Sequence, residues 1–145
     1  MSVPTLIVAL GASNTYGEGV ERRESYPAQL EALLRAAGHN VRILNAGIYG
    51  NKTGQMLERL EADVPAGTHL VILQPSGNDR KSGHERSSNM AEIERRLTAR
   101  GIKMLLLERD AYRDLPRQPD GMHLTPGGYR ALAESLLDAV ITALR

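Results

Sequence analysis

The chain has 145 residues, enough for one domain with a proper hydrophobic core, and its 18 basic side chains nearly cancel 17 acidic ones. No block of like charge is long enough to suggest a nucleic-acid partner or a membrane-binding tail, and no apolar run reaches transmembrane length. Cysteine is absent, which excludes disulfides and thiolate metal sites, and five tyrosines are the only aromatics, so the core must be aliphatic. Met1-Ser2-Val3-Pro4 does not read as a signal peptide. Composition is silent on compartment and oligomeric state.

The first element is Leu6-Ile7-Val8-Ala9-Leu10, a continuous apolar run stopped by Gly11. Such a run reads as a strand buried on both faces, which belongs at the centre of a parallel sheet. Gly11-Ala12-Ser13-Asn14 then turns the chain at the strand's carboxyl end, where open α/β sheets bind ligands. Taken alone, Ser13 is a turn residue or helix cap. Residues 18–24 read as a charged surface loop. A helix is expected from near Ser25, with Pro27 in its first turn, an apolar stripe of Tyr26, Leu30, Leu33, Leu34 and Ala37, and a stop at Gly38.

Val41-Arg42-Ile43-Leu44 reads as a second strand, and its polar interruption suits a sheet edge. Residues 45–51 form a second glycine-bearing loop. Thr53 is expected to cap a helix carrying Met56, Leu57, Leu60 and Val64. Leu70-Val71-Ile72-Leu73 is a third strand, leading into Gln74-Pro75-Ser76-Gly77-Asn78-Asp79. Residues 80–88 read as loop, and Asn89 with Glu92 as the capping pair of a helix bearing Met90, Ile93 and Leu97. After Gly101, residues 102–107 form a fourth strand. Residues 108–119 are arginine-rich and lack periodicity. Thr125 and Pro126 open a final helix with the stripe Tyr129, Leu132, Ala133, Leu136, Leu137, Val140, Ile141, Leu144.

Strands and helices alternate throughout, which implies right-handed βαβ crossovers. The expected fold is therefore α/β: a three-layer α/β/α sandwich on four parallel strands in the order 2-1-3-4, as one domain over residues 1–145.

The loops after the first three strands deliver Ser13, Gly47 and Asn78 to one rim, and the segment after the fourth delivers Asp120-Gly121-Met122-His123. These are the parts that acyl transfer requires. A nucleophilic serine needs a base, which His123 can be, and the base needs an orienting carboxylate, which Asp120 can be. The N–H groups of Ser13 and Gly47 and the side-chain amide of Asn78 can converge on an oxyanion.

These blocks resemble those of the SGNH hydrolases, or GDSL-type esterases and lipases. Gly11-Ala12-Ser13-Asn14 is similar to the first block, Asn45-Ala46-Gly47 to the second, Ser76-Gly77-Asn78-Asp79 to the third and Asp120-Gly121-Met122-His123 to the last. The resemblance spans nearly the whole chain, in the family's order. It implies a flavodoxin-like fold and a serine esterase of small-molecule esters that uses neither cofactor nor metal. Ser13, His123 and Asp120 would be its triad, and Ser13, Gly47 and Asn78 its oxyanion hole. The preferred esters are expected to carry short acyl or acetyl groups. A carbohydrate O-deacetylase or an acyltransferase would use the same triad, and a non-catalytic binding domain on the same scaffold is the alternative of another class.

The chain departs from the family's pattern in three places. Ala12 stands where aspartate is usual, and Ser76 where glycine is usual. In addition, only about a dozen residues separate the fourth strand from Asp120, too few for the further helix and strand that family members carry. Altered loop hydrogen bonding at Ala12 and Ser76, rather than lost activity, and a smaller, more open site are expected. His39, His69 and His84 lack acidic company and read as structural or solvated. Gly17-Glu18-Gly19 is no dinucleotide fingerprint, because Arg22 stands where a third glycine belongs. Arg109, Arg113 and Arg117 read as solvated loop charges rather than as an anion-binding set.

Overall fold

The structure, a computed structural model, describes residues 2–75, 77–79 and 83–145. Four strands, β1 (Thr5–Gly11), β2 (Val41–Gly47), β3 (Thr68–Gln74) and β4 (Lys103–Leu106), form one parallel sheet in the order β2-β1-β3-β4. Around them run α1 (Ser13–Tyr16), α2 (Tyr26–Ala36), α3 (Thr53–Glu58), α4 (Leu60–Asp63), α5 (Gly83–Ala99) and α6 (Pro126–Ala143). Strand order and helix alternation are those expected.

The central place of β1 explains its composition. Alternate side chains face opposite layers: Ile7 and Ala9 join Leu30, Leu34, Tyr129 and Leu132 of α2 and α6, while Val8 and Leu10 join Met56, Leu60, Ile93 and Leu97 of α3, α4 and α5. Residues 7–10 have no solvent exposure, and each large one contributes roughly 1.5–3 kcal/mol by burial. β2, at an edge, shows Arg42 to water.

Gly11 pairs in register with Gly47 on one side and with Gln74 on the other. Three strands therefore end level, and their following loops share one rim. Ser25 caps α2, whose end is marked by Gly38 at φ +92°. Thr125 caps α6 by accepting the Gly128 N–H at 3.0 Å, an interaction worth about 1 kcal/mol. β4 is the other edge of the sheet, and residues 108–119 contain one short 3₁₀ turn, Arg109–Ala111, and an antiparallel bridge from Arg117 to Leu124.

Four expectations are corrected. Thr53 is the first residue of α3 rather than its cap; both its N–H and its hydroxyl go to the buried carboxylate of Asp79, which takes over the capping role from 26 residues away. Of the stretch 80–88 read as loop, residues 80–82 lie outside the described residues and 83–88 are the opening turns of α5. Those turns reach past the core and need no apolar stripe, so periodicity could not reveal them. Asn89 consequently lies inside α5, where its amide donates to Thr53 Oγ1 at 3.2 Å instead of capping. Ala37 is exposed just beyond the end of α2.

Candidate active site

The turn after β1 is tight enough to forbid a side chain at Gly11, whose Cβ would lie 2.2 Å from Thr15 Oγ1. It is held by Gln74, the last residue of β3. Gln74 Oε1 accepts the Ala12 N–H at 3.1 Å and the Thr15 hydroxyl at 2.9 Å, and Gln74 Nε2 donates to Tyr112 Oη at 3.3 Å. The Ala12 side chain is fully buried in the α3/α4/α5 layer. The position unusual in sequence is thus a packing position whose backbone, not side chain, is polar-bonded. Ser76, the second unusual position, lies outside the described residues.

Ser13 opens α1, and its Oγ lies 3.1 Å from His123 Nε2. His123 Nδ1 lies 2.5 Å from Asp120 Oδ2. With the ring proton on Nδ1, donated to Asp120, Nε2 is left to accept the Ser13 hydroxyl proton. The imidazole is buried, 8% exposed in its side chain, whereas Asp120 is 39% exposed.

Asp120 is locked by its own turn. Its Oδ1 accepts the N–H of His123 at 3.0 Å and of Met122 at 2.9 Å. These two N–H groups, followed by the imidazole, lower its pKa to about 2, so the carboxylate stays charged. Around it, Gln118 N–H donates to His123 O at 2.7 Å, and Gln118 Nε2 donates to the carbonyls of Glu18 and Leu124. Gly19 packs on the same Gln118 side chain at φ +83°, which gives the Gly17-Glu18-Gly19 stretch a structural use.

Arg117 is not the solvated loop charge expected from the sequence. Its guanidinium donates to the carbonyls of Tyr112, Arg113 and Met122, tying the loop to the Asp120–His123 turn. Arg109 is exposed, and Arg113 is exposed and paired with Asp110. His39 is half-buried and His69 exposed, away from Ser13; the His84 side chain lies outside the described residues.

Gly47 does not present a donor to this rim. Its N–H donates to Asn45 Oδ1 at 2.9 Å, and a Cβ there would meet Tyr16 N at 2.2 Å. Glycine is needed at 47 because β2 ends against α1, not because a substrate approaches. Three residues on, Gly50 stands between two parts of the site. The Tyr49 ring lies 6.2 Å from the His123 ring, and the Asn51 carbonyl accepts Asn78 Nδ2 at 2.9 Å. Gly50 has φ +74° and open space where a Cβ would be, and its N–H meets no acceptor among the described residues. The same holds for the N–H of Ser13. Only the two-glycine spacing of residues 47–50 hinted at this, and it did not say which glycine faces the rim.

Asn78 sits in the 3₁₀ turn Gly77–Asp79, anchored by the Asp79–Thr53 bonds. Tyr16 on α1 with Ser13, Ile48 and Tyr49 just before Gly50, and Met122 just before His123 are exposed large hydrophobic side chains. No group of three or more His, Asp or Glu residues suited to a metal ion occurs among the described residues. Likewise, no described helix is long and apolar enough to cross a membrane.

The profile of the GDSL-like lipase/acylhydrolase family matches residues 9–134. Esterase TesA of Pseudomonas aeruginosa is 32% identical over 110 residues, which are 71% of this chain and 53% of that protein. The chain thus spans about half the length of this curated relative. Among solved structures, AlinE4, an SGNH-hydrolase family esterase, superposes with a TM-score of 0.74 at 29% identity, covering 100% of this chain and 99% of that one. A structure of TesA gives a TM-score of 0.83 at 21% identity over 96% and 99% of the two chains, a likeness of fold.

Proposed function

We propose that this chain, which belongs to the GDSL-like lipase/acylhydrolase family, is a serine ester hydrolase working through an acyl-enzyme. The observation that carries the reading is the unbroken line Ser13 Oγ, His123 Nε2, His123 Nδ1, Asp120 Oδ2, with separations of 3.1 and 2.5 Å at its two hydrogen bonds. Two relatives named as esterases, TesA and AlinE4, support it.

In this reading Ser13 Oγ attacks the ester carbonyl while His123 Nε2 takes its proton. The oxyanion is met by the N–H of Ser13, the amide of Asn78 and the N–H of Gly50, which replaces Gly47 in that role. Collapse of the tetrahedral adduct breaks the bond to the alcohol, which leaves with the proton from Nε2. Water then repeats the sequence on the acyl-enzyme, activated by the same nitrogen, and the acid is released. Asp120 holds the imidazole in the productive tautomer and stabilises its charged form.

Short acyl groups fit best. β4 is an edge strand, and residues 108–119 send Tyr112 into the core while showing Arg109 and Arg113 to water. A longer chain gains about 0.8 kcal/mol per CH₂ only where the methylene leaves water. Hydrolysis of a series of esters from acetyl to dodecanoyl, below their micelle concentrations, tests this. The expected kcat/KM is highest from acetyl to butyryl and level or falling by octanoyl. A steady rise to dodecanoyl contradicts it. Acetylated sugars and an added acceptor alcohol in the same panel separate deacetylase and acyltransferase action.

A further inference from the structure

The proposed oxyanion donors come from three separate segments: the turn after β1, the loop after β2 and the turn after β3. Nothing in their local sequences fixes them relative to one another. One side chain touches the ends of the first two and, through a single residue, the third. Arg59 sits at the break between α3 and α4, with its side chain 15% exposed. Its Nη2 donates to Gly11 O at 2.9 Å, at the end of β1. Its Nη1 donates to Ala46 O at 2.8 Å, near the end of β2, and to Asp63 Oδ2 at 2.6 Å. Its Nε donates to Asn51 Oδ1 at 2.9 Å. The backbone carbonyl of that same Asn51 receives the Asn78 amide at 2.9 Å.

We propose that Arg59 is the positioning residue of the oxyanion hole, its guanidinium setting Gly50-Asn51 against the Ser13 turn and, through Asn51, setting the amide of Asn78. The proposal rests on the esterase reading and adds to it a residue that touches neither substrate nor triad.

The chemistry favours arginine. A planar guanidinium carries five N–H groups in a rigid fork and can hold several acceptors at fixed angles; an ammonium is a point charge on a flexible stem. Asp63 balances the charge that the partly buried group carries. Gly11 O is shared with the Ile48 N–H at 3.1 Å, so the start of the Gly50 loop and the guanidinium bear on one carbonyl. Loss of the fork would let residues 48–51 shift relative to Ser13. Transition-state stabilisation falls steeply with such a shift, because the donors must meet the oxyanion rather than the ground-state carbonyl.

The test is Arg59→Lys, assayed well below its melting temperature with a short-chain ester and with a small alkylboronic acid, which forms a tetrahedral adduct on the serine. The expected kcat is lower by on the order of 10–100-fold with KM within about twofold, and the boronate inhibition constant rises by the same factor as kcat falls. In an Asn78→Ala background the further loss from Arg59→Lys is smaller than in the wild type, because the part of its effect that runs through Asn78 is already gone. Unchanged kcat with only a lower melting temperature, an unmoved boronate constant, or full additivity with Asn78→Ala would overturn the proposal. Should Arg59→Lys fail to fold, Asn51→Ala, which keeps the other acceptors of the guanidinium, must show the same pattern of kcat and boronate loss. Wild-type protein without ester hydrolysis or boronate inhibition refutes the esterase reading itself; an active wild type with an indifferent Arg59→Lys refutes this inference alone.

Discussion

The two halves of the proposed site, the base side and the oxyanion side, are built in opposite ways. On the base side, Asp120, Met122 and His123 make one short turn: a carboxylate two and three residues upstream collects the N–H groups of Met122 and His123 and then the imidazole. On the oxyanion side, the bonds that join one segment to another are long-range. Gln74 holds Ala12 across 62 residues, Asp79 holds Thr53 across 26, Asn51 holds Asn78 across 27, and Arg59 reaches Gly11 across 48. The ring orientation and tautomer of a base need only one carboxylate, which a local turn can supply. An oxyanion hole needs donors from several directions, which no single segment can provide. The orientation of the imidazole is therefore robust to distant change, whereas the second half depends on the packing of the whole rim.

The largest effect expected from breaking the base side is that of Asp120→Asn. The loss of the orienting carboxylate should lower kcat by on the order of 10³–10⁴-fold while the protein stays folded, as circular dichroism and kinetics together would show. An effect under tenfold would mean that the local turn alone orients the imidazole. On the other side, Asn78→Ala should lower kcat by on the order of 10²–10³-fold with little change in KM. If it instead lowers the melting temperature and leaves kcat intact, Asn78 is a turn residue.

The contrast sharpens at the two glycines. Gly47→Ala should destabilise by about 1–3 kcal/mol or more, since its Cβ would press on the Tyr16 backbone. Thermal unfolding measures this. A normal melting temperature for Gly47→Ala would contradict the packing role assigned to it.

The smallest effect concerns pH. Asp120 is held at about 2, below the ordinary carboxylate value near ~3.9, by the N–H groups of His123 and Met122 and by the imidazole. A depressed carboxylate contributes stability above its unfolded pKa and loses it as pH falls through the folded value. The melting-temperature gap between wild type and Asp120→Asn should therefore close between about pH 4 and pH 2. A gap that is constant across that window would show that the turn does not favour the charged carboxylate.

The same contrast governs what could be read from sequence. The strand order followed from unbroken apolar β1, interrupted β2 and the alternation of elements, because burial on both faces leaves a compositional mark. The Asp120-Gly121-Met122-His123 turn was legible because its partners are neighbours in sequence. The choice of Gly50 over Gly47 was not, since it depends on where Asn45 and Tyr16 pack. Neither was the capping of α3 by Asp79, nor the reach of Arg59 and Arg117 to distant carbonyls. The opening turns of α5 escaped for another reason: exposed helix with no buried stripe has no period to detect.

Labelling with an organophosphonate, located by peptide mass, tests the central claim most directly. Ser13 should take the phosphonyl group stoichiometrically with matching loss of ester hydrolysis, Ser13→Ala should take none and retain only a trace of activity, and His123→Ala should label far more slowly. Phosphonylation at another residue, or undiminished turnover by Ser13→Ala, would contradict the account.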